Sequence, residues 1–260
     1  MKKKIWYQSF GSFTHTPNYG RALKAYVGGL GQQNISFEVH GLTYGDVGDQ
    51  YRVFEYFDTA EVIRNVRVAN LQQFDAVAIG NILDPGLLQA REISNIPVLG
   101  LCESSLMMAC LMGRNFSLVT LNERFIPRIE ENVRRYGLWE RLKGIRTMDL
   151  EVEDLEKAME KERLQKRIIK HFLDEARRLV RDGTEVLVPA GGFPMLLLAL
   201  AGIHTVDRVP IVNGIVALVS MTEMMLRFRE RTGVFISRRL AYASPSKARL
   251  EKAHKLYGLE

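Results

Sequence analysis

Cys102 and Glu103 stand side by side directly behind the apolar run Pro97-Val98-Leu99-Gly100-Leu101, where a helix should begin. A thiol at a helix N-terminus has a lowered pKa and becomes a usable acid–base group; the alternative for Cys102 is a small buried hydrophobe. Glu103 is either a carboxylate base or a favourable charge in a first helical turn. His15 lies in Ser12-Phe13-Thr14-His15-Thr16-Pro17, a loop behind the first apolar run, and imidazole titrates near neutrality. These three are the candidates for moving a proton. Cys110 sits among Met107, Met108 and Met112 and reads as core, and His204 precedes the last apolar run and reads as structural.

A second set of residues has the chemistry to bind oxygen. Ser9 and Ser12 follow the first strand, and Thr120 closes a later one. Their hydroxyls bind oxygens well but are weak nucleophiles without an adjacent base; Thr120 has an N-cap of the next helix as its alternative. Asn81 follows the buried run Asp75–Gly80. Its amide either donates to a carboxylate or enolate oxygen or folds back on its own backbone as a turn. Ala190-Gly191-Gly192 follows another buried run. Glycines there let main chain approach a ligand or form an anion-binding nest, or simply make a tight turn.

The elements that position these residues come from the alternation of short apolar runs with amphipathic ones. Strands are expected at 5–10, 36–40, 75–80, 97–101, 116–120, 145–150, 185–189 and 209–213. Helices are expected at 18–30, 51–71, about 103–112, about 122–136, 151–182 and about 214–231, with a basic amphipathic helix in the tail from Ser244 to Glu260. Continuous apolar strands alternating with helices mean parallel sheets covered on both faces. The halves also match each other. FDAVAIGN parallels TEVLVPAG, and IPVLGLC parallels VPIVNG, an internal duplication of about 110 residues. The expected fold is therefore α/β, with two pseudo-symmetric Rossmann-like lobes whose parallel four-stranded sheets face a shared cleft. The lobes are placed at 1–112 and 113–260, with the last helix crossing over or segment 214–260 packing back on the first lobe. Ligands of open α/β sheets sit beyond the carboxyl ends of the strands, so equivalent loops of the two lobes should flank one ligand.

The 260 residues are 47% hydrophobic and 25% charged, an ordinary globular balance that can build real cores. The net charge of +6 is interspersed with acids, most visibly in 151–182, so it predicts a solvated surface and no nucleic-acid partner. Two cysteines make no disulfide framework, and no apolar stretch is long enough for a signal peptide or a membrane span. A cytoplasmic protein with no membrane partner is expected. No metal-ligand spacing, Walker loop or Gly-x-Gly-x-x-Gly after a strand is present, so no metal and no cofactor are expected. Gly28-Gly29-Leu30-Gly31 reads as a helix C-cap.

Four stretches carry a resemblance: FDAVAIGNILDPGLLQARE (74–92), IPVLGLCESSLMMACLMGRNFSLVT (96–120), ERFIPRIEENVRRYGL (123–138) and DGTEVLVPAGG (182–192). In this order the chain resembles the aspartate/glutamate/hydantoin racemase superfamily, hydantoin and allantoin racemases above all. The Asp84-Pro85-Gly86-Leu87 turn is the most specific piece. The resemblance implies a cleft for a small carboxylate or cyclic amide, flanked by one cysteine from each lobe. One thiolate removes the α-proton and the other thiol returns one from the opposite face, the layout that inversion through a planar carbanion requires. It also implies that Thr120 faces the cleft, and a homo-oligomer.

The chain departs from that pattern at both decisive positions. Asn81 stands where the first family cysteine falls, and Gly191 aligns with the second. Neither exchanges a proton near neutral pH. The expected function is proton transfer at a carbon α to a carbonyl, with Cys102, Glu103 or His15 moving the proton and Ser9, Ser12, Asn81, Thr120 and residues 190–192 holding oxygens. One-sided lyase or decarboxylase chemistry is the variant, and a non-catalytic small-molecule binder is the rival.

Overall fold

The computed structural model describes residues 2–31, 34–45 and 50–257; the last three residues of the expected tail helix lie outside them. The first half builds a four-stranded parallel sheet from β1 (Lys3–Ser9), β2 (Ile35–His40), β3 (Ala76–Gly80) and β4 (Val98–Gly100), in the order β2-β1-β3-β4. It carries helices α1 (Pro17–Leu30), α2 (Arg52–Leu71), α3 (Leu87–Ile93) and α4 (Leu101–Met112). The second half builds a sheet in the order β6-β5-β7, from β5 (Phe116–Thr120), β6 (Leu142–Thr147) and β7 (Leu187–Ala190). Its helices are α5 (Ile126–Arg135), α6 (Val152–Glu160), α7 (Glu162–Arg181), α8 (Gly192–Leu200) and α9 (Gly214–Thr232). A short α10 (Lys247–Tyr257) ends the described chain. No helix among the described residues is long and apolar enough to cross a membrane.

The period-two alternation of the strands places successive side chains on opposite faces. Ile5, Tyr7, Ala76 and Ala78 point into a core that runs through both halves. Trp6, Val77 and Ile79 point the other way, into a smaller cluster with Val62, Val66 and Leu87 of α2 and α3. Each Val, Leu or Ile side chain removed from water in this way contributes about 1.5–3 kcal/mol. This two-sided burial explains why β3 reads as an unbroken apolar run.

The second sheet has three strands where four were expected. Val209–Pro210 forms β9, which turns back antiparallel on β8 (Thr205–Val206). Asp207 and Arg208, at φ 47° and 69°, make the two-residue hairpin between them. Pro210 has no N–H to give a sheet. Only Ile211 bridges β7, at Leu187, with the Val212 N–H donating to Leu187 O at 2.8 Å. β6 begins three residues before its expected start, as a half-exposed edge strand, and α1 runs through Gly28 and Gly29 to a cap at Gly31.

Two helices reach across the halves. α4 keeps its contact with β3 and β4 of the first sheet and also lies against β5 and β7 of the second, whereas α9 keeps its contact with α8 and lies against β3 and β4 of the first sheet. The two pack on each other. Polar contacts add to this exchange. The Glu156 carboxylate of α6 accepts the Asn18 and Tyr19 N–H groups at 2.9 and 3.1 Å and so caps α1 from the other half. The Arg128 guanidinium pairs with Glu55 where both are nearly buried, and Arg52 pairs with Glu131 at the surface.

Candidate functional site

The registers bring the two halves to one level. Ser9 pairs with Gly80 at the end of β1 and β3, and Thr120 pairs with Ala190 at the end of β5 and β7. Asn81 and Gly191 are therefore equivalent: each is the first residue beyond its strand. Between them opens a cleft of about 60 Å³, room for about four to six water-sized groups. The first half lines it with Ser9, Phe10, Gly11, Tyr19, Gly80, Asn81 and Ile82. Leu121, Phe125, Ala190, Gly191, Gly192, Phe193 and Pro194 line it from the second.

Main chain forms much of this wall, and backbone geometry explains the glycines. Gly191 has φ 146° and ψ 148°, a region open in practice only to glycine, and it turns the chain from β7 into α8. α8 then begins at Gly192 with its N-terminus on the cleft. The Met195 N–H returns to Gly191 O, and Pro194 has no N–H, so the first-turn amides of Gly192 and Phe193 are the ones that helix geometry leaves to an outside acceptor.

An aromatic pair closes the remaining side. Tyr19 in the first turn of α1 stacks on Phe193 in the first turn of α8, with centroids 3.8 Å apart and planes 16° apart. A Cβ added to Gly192 would lie 2.4 Å from the Tyr19 hydroxyl oxygen. Glycine at 192 is thus what lets that hydroxyl reach the α8 backbone. The sequence reading missed Tyr19. Its signal was Pro17, which fits the first position of a helix and so sets residue 19 in the first turn behind β1, on the ligand rim.

The expected oxygen-binding residues divide. Ser9, Asn81, Ala190, Gly191 and Gly192 line the cleft. The Ser9 hydroxyl accepts the Gly11 N–H at 3.3 Å, and Asn81 Oδ1 accepts the Leu83 N–H at 2.8 Å, the local turn that was its alternative. Ser12 is buried, donates to Thr43 O at 3.2 Å and holds two loops together. Thr120 is fully buried beneath the lining, its hydroxyl without a hydrogen-bond partner among the described residues, and Asn122 caps the following turn instead.

None of the three expected proton carriers lines the cleft. Cys102 is fully buried, and burial, reinforced by the nearby Asp84 carboxylate, pushes its thiol well above the ordinary range rather than below it. The N-terminus of α4 cannot act on the thiol or on a ligand as expected, because Asp84 already occupies it. The Asp84 carboxylate accepts the Cys102 and Glu103 N–H groups at 2.9 and 2.8 Å and the Tyr136 O–H at 2.5 Å. Burial raises the Asp84 carboxyl to about 7 while these donors pull it down. Glu103 is bound to Arg91 in a two-pronged ion pair, at 3.0 and 2.5 Å, on the wall of a separate cavity with Met107 and Met221. His15 is exposed, its Nδ1 3.3 Å from Gly45 O. Cys110 is half-buried against the core, and His204 is exposed.

Among the described lining residues there is no Cys, His, Asp, Glu, Lys or Arg. The arrangement can hold a small planar molecule between aromatic and aliphatic walls and present main-chain donors to its oxygens. Tyr19 is the one titratable side chain in that lining.

The chain is similar to known proteins over most of its length. The profile of the family described as Asp/Glu/Hydantoin racemase matches residues 16–222. A hydantoin racemase of Rhizobium meliloti is 30% identical over 172 residues, 64% of this chain and 66% of that protein. A hydantoin racemase of Pseudomonas sp. (strain NS671) is 29% identical over 204 residues, 78% of each. Among solved structures, the allantoin racemase from Klebsiella pneumoniae superposes with a TM-score of 0.72 at 25% identity, covering 95% of both chains. The allantoin racemase from Pseudomonas fluorescens superposes at 0.75 and 22% identity, covering 93% of this chain and 97% of that one.

Proposed function

Because the chain belongs to the Asp/Glu/hydantoin racemase family, we propose that its cleft takes a small uncharged cyclic amide and moves a proton at the carbon next to a carbonyl, without a pair of thiols. One observation carries this reading: the described lining is main chain, hydroxyl, amide and apolar side chains, with no cation and no thiol. A dicarboxylate entering such a site would lose its hydration without gaining a counter-charge. A hydantoin-like ring has neutral carbonyls for the α8 N-terminus and a flat face for the Tyr19–Phe193 stack.

The same α8 amides serve the reaction. When a proton leaves the carbon α to a carbonyl, negative charge moves to the oxygen, and fixed N–H groups at a helix N-terminus stabilise it there. Asn81 in place of the first family cysteine and Gly191 in place of the second are part of this proposal, and they favour chemistry on one face of the ligand over racemisation. Assembly as a homo-oligomer also belongs to it, and light scattering on the eluting protein tests that.

Proton NMR of the protein in D₂O with hydantoins, allantoin, amino acids, maleate and arylmalonates tests the reading. Exchange of the ring α-proton in the cyclic amides is the expected result. Turnover confined to the dicarboxylates would refute it. Binding of cyclic amides with no exchange favours the second reading, a small-molecule binder, which rests on the Asn81 carboxamide being tied to Leu83 and on Gly191 having no side chain.

A further inference from the structure

Proton transfer needs a group that can hold and release a proton within reach of the ligand. In the described lining of the cleft that requirement meets one side chain, Tyr19. Its ring is fixed by the stack on Phe193 and its main chain by Glu156, so the hydroxyl has a defined place. That place is beside the Gly192 backbone, at the mouth of the α8 N-terminus: a Cβ on Gly192 would come within 2.4 Å of the hydroxyl oxygen, with Gly80 O the next main-chain atom at 3.7 Å. The hydroxyl therefore lies against the N-terminus of α8, in the cleft that Gly80 and Asn81 line from the first strand end. The seven lining residues of the second half contribute no titratable side chain.

We infer that Tyr19 is the proton-transfer group, that it works from one face only, and that the chain consequently exchanges the α-proton with retention of configuration. The inference rests on the proposed function above. The step balances as follows. The Tyr19 hydroxyl gives its proton to hydroxide from the solvent, a step that no cation of the described lining assists and that therefore speeds up as the pH rises, and the phenolate oxygen takes the α-proton. The C–H bond breaks, and its electron pair moves onto the carbonyl oxygen beside the α8 amides. The new phenol O–H exchanges with solvent and returns a proton, or in D₂O a deuteron, to the same face of the carbon. Inversion would need a second acid on the other face.

Enantiopure 5-methylhydantoin in D₂O is the probe, followed by NMR for deuterium at the ring carbon and by chiral chromatography for configuration. The wild-type chain should deuterate the carbon and leave its configuration unchanged. Tyr19→Phe keeps the ring and the stack; it should still broaden the ligand signals while exchange falls about 100-fold or more, the usual size of an acid–base contribution. Gly192→Ala keeps the phenol but displaces its hydroxyl, and should lower exchange as well, which keeps the test valid if Tyr19→Phe does not fold. Exchange within threefold of wild type in either variant overturns the role of Tyr19 and leaves the proposed function standing. Racemisation as fast as deuteration overturns the single-face step. A wild-type chain that exchanges nothing overturns both readings together.

Discussion

At the scale of single residues, the Tyr19–Gly192 contact makes a prediction that needs no ligand. Gly192→Ala forces its Cβ to within 2.4 Å of one atom, the Tyr19 hydroxyl oxygen, while the next atoms, Tyr19 Cζ and Gly80 O, stay at 3.6 and 3.7 Å. The variant should therefore melt several degrees lower, and Tyr19→Phe/Gly192→Ala should recover most of that loss, a coupling read by thermal denaturation of the four chains in a double-mutant cycle. Asp84 makes another. Folding raises its carboxyl from the ordinary carboxylate value to about 7, so the folded chain holds this proton between about pH 4 and 7 when the unfolded chain does not. The associated stabilisation is complete below about pH 4 and is lost as the pH rises through 7. Asp84→Asn removes the titration while tolerating the φ of 47° at that position. Urea midpoints should fall between pH 5 and 7.5 in the wild type and fall clearly less in the variant. The residue scale is also where the sequence was least legible. Asn81, Ser9 and Gly191 sit at strand ends and could be placed by counting. Cys102 could not, because its environment is set by Asp84, eighteen residues away in sequence, whose carboxylate takes the helix N-terminus that would have activated the thiol.

At the scale of elements, the turn from β7 into α8 is the most constrained. Gly191 at φ 146° and ψ 148° has a conformation that costs a side-chain-bearing residue about 1–3 kcal/mol. Gly191→Ala and Gly191→Cys should both lose stability by that amount in urea denaturation, and equally, because the cost lies in the backbone and not in the side chain. A thiol placed at this position would therefore disturb the turn that lines the cleft. Element positions followed from periodicity wherever a strand is buried on both faces, as at β3 and β5. They slipped at β6, an edge strand whose half-exposed residues carry no clean alternation. α8 was missed because Phe193–Leu200 is apolar all round, with the run Phe193 to Leu198 buried, and a helix without a polar face has no helical period to read.

At the scale of the whole molecule, the exchange of α4 and α9 between halves decides how the chain folds. Each sheet is covered by a helix that belongs, in sequence order, to the other half. Chains cut between residues 112 and 113 should be largely unfolded when separate and regain helical circular dichroism on mixing. Two independently folded fragments would contradict that. The Glu55–Arg128 pair ties α2 to α5 across the halves at 12% and 10% side-chain exposure. Removing one partner of a pair this buried leaves a stranded charge, so Arg128→Ala should cost about 3–5 kcal/mol in urea denaturation. The duplication and both parallel sheets were visible in the sequence; the antiparallel β8–β9 hairpin was not, since Pro210 and the left-handed Asp207-Arg208 turn act locally against a pattern that is apolar enough for a parallel strand.

The cleft wall built by Gly80, Ala190, Gly191 and Gly192 has an evolutionary consequence. What it presents is peptide carbonyls and amides, and every substitution other than one to proline leaves those groups in place. Recognition encoded in main chain is inherited with the fold, whereas reactivity encoded in side chains is free to drift. A lineage with this architecture can discard one reaction and acquire another without first losing its grip on the molecule, and that makes the site a durable platform for new chemistry.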